Sequence, residues 1–330
     1  MPKDFICHAK HCERKTRKFD QVNLVSSIPG AARELDPTLI NSWGLFIHDD
    51  KITTALNGSG LVSTYSELGQ RLKSVNVLFN GEPAAPTGIV RNRSEGFLVT
   101  GPKGTGRSEW ITVTENGTIL GYSPEADPDN AITVAIFAIF GSEFKGLDQH
   151  DDLIYVANFT NNQVNVFDST WHNITSRFAF VDPNLPVGYA PFNIKIIDDK
   201  IYIVYAVVKP DGDEQDGPGL GLVNVYDLKG NFERRLINPG GLLNGPWALL
   251  KAPDCFGLPS DHLLVGNFGD GKIHVYKFDG EFVTTLKDKM GCDLVIDRLW
   301  GLADGSRDTV FFAAGPQDEA QGLVGLLNPI

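Results

Sequence analysis

The chain has 330 residues, 42% of them hydrophobic and 21% charged, an ordinary globular composition long enough to build a large core. A net charge of −12 sets the body of the chain against a phosphate backbone, so no nucleic-acid partner is expected. Four Cys are too few for a disulfide scaffold, no apolar run is long enough to span a bilayer, and 35 Gly with 19 Pro promise turns rather than long helices.

The first 18 residues, MPKDFICHAKHCERKTRK, read as a basic flexible arm, with residues 19–330 as one domain. The arm has no apolar h-region, so no secretory signal is visible and the compartment stays open. Its Cys7, His8, His11 and Cys12 could clamp a soft metal, but zinc ligands usually come as pairs separated by a longer loop. A disordered arm or a Cys7–Cys12 bridge is the blander expectation. FDQVNLVSS, residues 19–27, then reads as a strand with no neighbour in sequence to pair with.

From there a short phrase recurs: WGLFI at Trp43, TGIVR at Thr87, KGLDQ at Lys145, FNIKI at Phe192, WALLK at Trp247 and WGLAD at Trp300. Its second residues are Gly44, Gly88, Gly146, Asn193, Ala248 and Gly301, and this spacing suits propeller blades with variable loops. After each phrase comes a β-branched or aromatic strand, such as ITTAL, WITVT, LIYVA or IYIVY. Turns rich in Gly and Asn follow, then a third strand such as QVNVFD or KIHVYK, whose apolar residues alternate with polar ones. Fourth strands are expected at SVNVLF, ITVAIF, SRFAFV, ERRLI and VTTLK. Unit two also carries RSEGFLVTGPKGTGRSE, expected to be a mobile extra hairpin, since its glycines lack the spacing of a phosphate loop.

The sixth unit ends at Ile330 on its third strand, and the unassigned strand at residues 19–27 supplies the fourth. The sequence therefore predicts an all-β fold: a six-bladed β-propeller closed by an N-terminal strand completing the last blade. Closure removes the exposed edges that an open array would leave.

VNLVSSIPGAARELDPTLINSWGL, TENGTILGYSP, GYAPFNIKIIDDKIYIVYA, LLVGNFGDGKIHVYKFDGEF and IDRLWGL together resemble a family of uncharacterised NHL-like six-bladed propellers. That family is mostly bacterial and exported, and often accompanies PEP-CTERM sorting systems. The resemblance runs from about Val22 to the C-terminus and implies the fold but no particular chemistry. The basic arm stands where such proteins carry an export signal.

Propeller ligands usually sit at one end of the central tunnel. Asn57, Glu115, Asn158 and Asn267 follow or end the second strands, and Asn193 begins an innermost strand. The five form the expected ligand ring, with Asp270 and Asp297 nearby. Glu115, Asn158, Asn193 and Asn267 offer oxygen donors to a hard cation such as Ca²⁺. This set resembles, more weakly, the metal site of gluconolactonase-like propellers. Turn chemistry alone also explains Asn at strand ends, and Asn57, Asn92, Asn116, Asn158 and Asn173 begin N-x-[ST] sequons. His150, between Asp148 and Asp151, could act as a base but is expected at the opposite end. No Ser elbow or Cys–His–Asp set is visible in the body, and Trp43, Trp247 and Trp300 read as a repeated core contact. The chain therefore reads as a non-catalytic binding or scaffold propeller presenting loops to a protein or glycan. The alternative is a cation-dependent hydrolase or lyase acting at the tunnel mouth.

Overall fold

The computed structural model of the protein describes residues 18–305 and 308–330; the Cys7/His8/His11/Cys12 cluster lies outside them. Among the described residues there is no α-helix, only short 3₁₀ turns between strands. Among the described residues no helix is long and apolar enough to cross a membrane.

Six antiparallel blades form the ring. Blade one runs Ser42–His48, Lys51–Leu56, Leu61–Ser66 and Arg71–Asn76 from the axis outwards. Blade two runs Pro86–Arg91, Trp110–Thr114, Thr118–Tyr122 and Ile132–Ile136, with Leu98–Gly101 and Gly104–Arg107 as the extra hairpin. Blade three has Phe144–His150, Leu153–Asn158 and Gln163–Asp168. Blade four has Tyr189–Ile197, Lys200–Val208, Leu222–Asp227 and Phe232–Ile237. Blade five has Pro246–Lys251, His262–Asn267, Ile273–Lys277 and Phe282–Thr285. Blade six has Leu299–Asp304, Val310–Ala314 and Leu323–Pro329, and Lys18–Ser26 is its outermost full-length strand. That strand pairs antiparallel with the last strand of the chain, Val22 opposite Leu326, so the ring closes as the sequence predicts.

One expected strand does not form. SRFAFV makes a 3₁₀ turn at Thr175–Arg177 instead of a fourth strand in blade three. The edge it would have covered is met locally: Ile174 N–H donates to the Val166 carbonyl, and Val166 N–H donates to Thr175 Oγ1. Phe178 and Phe180 then turn inwards, with ring centroids 5.9 and 6.0 Å from Tyr155, and Phe180 also meets Tyr226 of blade four at 5.5 Å. Burying these rings between blades outweighs pairing them along an edge.

The recurring glycine has a steric cause. A Cβ on Gly44 would lie 2.9 Å from the Ile89 nitrogen and the Thr87 oxygen, and one on Gly88 would lie 2.9 Å from the Gly146 Cα. Neighbouring innermost strands thus touch backbone to backbone. Below the mouth this leaves the tunnel only a narrow cavity of about 40 Å³. Above it the repeated tryptophans converge as a plug. Trp43 stacks on Trp300 at 3.4 Å, Phe268 stacks on the other side of the group at 4.1 Å, and Trp247 meets Trp43 edge-on at 5.9 Å.

Candidate functional site

Over the plug, the ends of the second strands and the loops that follow them form a basin of about 340 Å³. Asn57 and Glu115 follow the second strands of blades one and two. Asp211, Asp213 and Glu214 come from the long loop of blade four, and Glu319 from the corresponding loop of blade six. Glu143 and Lys145 stand at the start of blade three's innermost strand.

Lys145 is the centre of this arrangement. Its side chain is only 1% exposed, and its Nζ lies 2.5 Å from Glu115 Oε1, 3.4 Å from Glu214 Oε2, 3.5 Å from Asp213 Oδ1 and 3.8 Å from Glu143 Oε2. The Trp43 and Phe159 rings lie beneath it, with centroids 5.4 and 5.8 Å away. Burial works against the ammonium charge, but Glu115 and Glu214 outweigh it and hold the pKa above its ordinary value. Lys145 takes the blade position that Trp43, Thr87, Phe192, Trp247 and Trp300 fill elsewhere, so a charge replaces an apolar or hydroxyl side chain at one point of the plug.

The carboxylates differ among themselves. Burial, together with the neighbouring Asp213, pushes Glu214 up to about 8 despite Lys145. Burial also opposes ionisation of Asp213, yet its hydrogen bond with Glu214 and the charge of Lys145 bring it down to about 2. Burial raises Glu143 and Glu319, with neighbouring acids adding to the effect. The basin is therefore short of positive charge: six carboxylates line it, Lys145 is central, and Lys209 reaches Asp213 from the outside at 3.5 Å.

Glu214 makes this measurable. Its folded pKa of about 8 stands above the ordinary 4.5, so the folded chain holds the extra proton between those values. The stability this contributes is fully present below the unfolded pKa and is lost as pH rises through the folded one. Each pKa unit corresponds to about 1.4 kcal/mol. Glu214→Gln should therefore lose less stability than wild type between about pH 5 and 8 in urea titrations. An unchanged slope would mean that Glu214 is ionised throughout.

The basin is braced from the side. Trp300 Nε1 donates to Asn41 Oδ1 at 3.0 Å, and Asn41 Nδ2 donates to Glu319 Oε1 at 2.8 Å. Asn57 Nδ2 donates to Glu115 Oε2 at 2.8 Å. Three successive residues that are not glycine, Gln317, Asp318 and Glu319, have φ of 59°, 48° and 66°, and Asn41 has φ of 48°. A left-handed residue costs roughly 1–2 kcal/mol. Strain concentrated where one loop delivers Glu319 to the basin is the kind found at functional sites.

Of the five ring residues expected from sequence, the structure brings two together. Asn57 and Glu115 line the basin. Asn193 lies deeper: its Nδ2 donates to the Trp247 carbonyl at 2.9 Å, and its Oδ1 accepts from Ile194 N–H. Asn158 is buried and donates to Ser142 Oγ and Asn165 Oδ1. Asn267 donates to the Leu242 carbonyl and Asp270 Oδ1. Asp297 accepts from Gln317 N–H. His150 sits at the far end of blade three, 3.5 Å from Asp151 Oδ2. Sequence reasoning missed Lys145, Glu143, Asp211, Asp213, Glu214 and Glu319. For Lys145 the signal was present, as a lone charge at a repeat position. A larger groove of about 570 Å³ lies between blades one and two. Lys51, Lys73, Arg91 and Arg107 face Asp49, Glu109 and Glu125 there, so it offers no single chemistry.

Ring and basin together define a six-bladed propeller with a charged, plugged tunnel mouth. The chain belongs to the family of two Acanthamoeba polyphaga mimivirus proteins, named uncharacterized proteins R648 and L690. It is 33% identical to R648 over 314 residues, covering 92% of this chain and 78% of that protein. It is 32% identical to L690 over 316 residues, covering 92% and 84%. No family model matches the chain. Among solved structures, a structural genomics protein of unknown function from Bacteroides thetaiotaomicron gives a TM-score of 0.53 at 11% identity, covering 93% of this chain and 72% of that one. The nidogen/laminin complex gives 0.51 at 10% identity, covering 80% and 85%. At such identities the likeness shows the fold alone.

Proposed function

We propose that this chain is a non-catalytic binding propeller whose working face is the acidic tunnel mouth, presented to a protein partner that carries a cationic group. One observation carries the reading: six carboxylates converge on a basin whose central cation is Lys145. A concave surface with surplus negative charge concentrates cations and steers a basic partner onto it. A neutral glycan offers this basin no charge, so a protein is the better-supported partner. The alternative, a cation-dependent hydrolase or lyase, needs a metal on Glu115. The Lys145 ammonium stands 2.5 Å from Glu115 Oε1, and Ca²⁺ would have to displace it.

Melting with and without Ca²⁺ tests this. A cation that binds only the folded chain raises its melting temperature by mass action. Wild type is expected to melt at the same temperature in either condition, and Glu115→Gln to show no calcium response either. A calcium-dependent rise in wild type that Glu115→Gln removes would overturn the reading in favour of a metal site.

A further inference from the structure

We infer that the mouth recognises a lysine side chain of its partner, with the ammonium held among the basin's carboxylates and a neighbouring peptide carbonyl on Trp43 Nε1. This rests on the tunnel mouth being the binding face. Acidity alone would not identify a ligand; the second observation is Trp43. Its ring is 2% exposed and lines the basin, and its Nε1 is buried with no hydrogen-bond partner. Its stacking neighbour Trp300 is different, since it donates to Asn41. An unmet buried donor costs about 1–3 kcal/mol, so a ligand that supplies an acceptor gains by meeting it. A bare metal ion offers no acceptor; a peptide offers one beside each side chain.

The form of the cation follows from Lys145. Four carboxylates from three blades surround its single nitrogen at 2.5 to 3.8 Å, an arrangement suited to a compact ammonium. A guanidinium prefers a planar, two-toothed carboxylate partner. Glu319 adds a further carboxylate from the loop of blade six, and Glu143 is the most distant of the four around Lys145. Asn41 supplies a neutral hydrogen bond to Glu319, and Lys145 reaches Glu143 only at 3.8 Å. Both therefore retain capacity for a second ammonium. The salt bridges made by Lys145 itself give an internal example of the contact proposed for the partner.

Calorimetric titration of the protein with tetralysine, at about physiological ionic strength to limit diffuse attraction, tests the inference. ε-Acetylated tetralysine and tetra-arginine are the comparison peptides. Tetralysine should bind saturably, the acetylated peptide should not bind, and tetra-arginine should bind more weakly. Glu319→Gln should weaken tetralysine about tenfold, the loss of one charge-assisted contact, and Glu143→Gln provides a second variant should Glu319→Gln fold poorly. Trp43→Phe should weaken it about threefold, in keeping with one neutral hydrogen bond. If Trp43→Phe melts early, benzothienylalanine at position 43 replaces N–H with sulfur at nearly the same size. Asp50→Asn, in the turn at the opposite end of blade one, should change nothing. If Asp50→Asn weakens binding as much as Glu319→Gln, or the acetylated peptide binds equally, attraction is diffuse and the mouth reading falls too. If Glu319→Gln and Glu143→Gln weaken binding but removing the Trp43 N–H does not, the mouth reading stands and the lysine-plus-carbonyl assignment falls. Tighter binding of tetra-arginine would overturn the choice of ammonium.

Discussion

Deleting residues 1–27 should abolish cooperative thermal unfolding, whereas a chain lacking only residues 1–17 should keep it. The difference between the two is the strand Lys18–Ser26, which pairs along the last strand of the chain from Phe19 opposite Pro329 to Ser26 opposite Leu323. It buries Phe19, Leu24 and Val25, and the Phe19 ring stacks on Phe256 with centroids 4.5 Å apart. Each such side chain contributes roughly 1.5–3 kcal/mol by burial. Together the three rival the net stability of a whole domain, about 5–15 kcal/mol. The deletion also bares the edge of Leu323–Pro329, so aggregation on heating is expected as well. Circular dichroism melts of the two truncations decide it. Matching transitions would mean that the ring holds without its closing strand.

This closure was legible because β-structure writes itself locally. Val164 and Val166 alternate with polar neighbours, turns such as GDGK mark the hairpins, and the count of strands leaves one over at the N-terminus and one short in the last blade. The recurring glycine was visible as a pattern, although only the structure supplies its cause, the backbone contact between Gly44 and the Thr87–Ile89 stretch. SRFAFV misled for a physical reason. Phe178 and Phe180 alternate as strand residues do, and whether such rings pair along an edge or wedge between blades depends on Tyr155 and Tyr226, which are far away in sequence.

The site was less legible than the fold. Asn57 and Glu115 could be placed because they follow second strands directly. Asp213 and Glu319 sit in connections of unequal length, and Glu214 in a two-residue strand within one of them, where the period of the repeat carries no positional information. Glu319 depends further on three left-handed residues in succession, none of them the glycine or asparagine that would announce such a turn. Asn158 and Asn267 brace their surroundings through Nδ2, which bonds within their own blades or neighbouring loops, while their buried Oδ1 atoms meet no hydrogen-bond partner. Two of the sequons, at Asn92 and Asn158, fall on buried side chains, so their spacing alone does not make them glycan acceptors.

Lys145→Met should destabilise the protein by about 3–5 kcal/mol near neutral pH, because it leaves buried carboxylates without their cation. Methionine keeps much of the length and the contact with the Trp43 and Phe159 rings, so the loss reports charge more than packing. The effect should grow with pH. Glu214, Glu143 and Glu319 already have raised pKa values with Lys145 present, chiefly through burial, and removing the ammonium raises them further. Carboxylates with raised folded values favour folding when protonated and oppose it once pH climbs past their unfolded values, near about 4.3 for Glu. Urea titrations of Lys145→Met and wild type should therefore converge in mild acid and separate towards neutrality. Adding Glu115→Gln to Lys145→Met should recover part of the loss, since it removes the carboxylate that lies 2.5 Å from the missing nitrogen. A loss below about 1 kcal/mol, equal at both pH values, would mean that the ammonium does not hold these acids together. The mouth would then be ordinary solvated surface, and its role as a cation receptor would go with it.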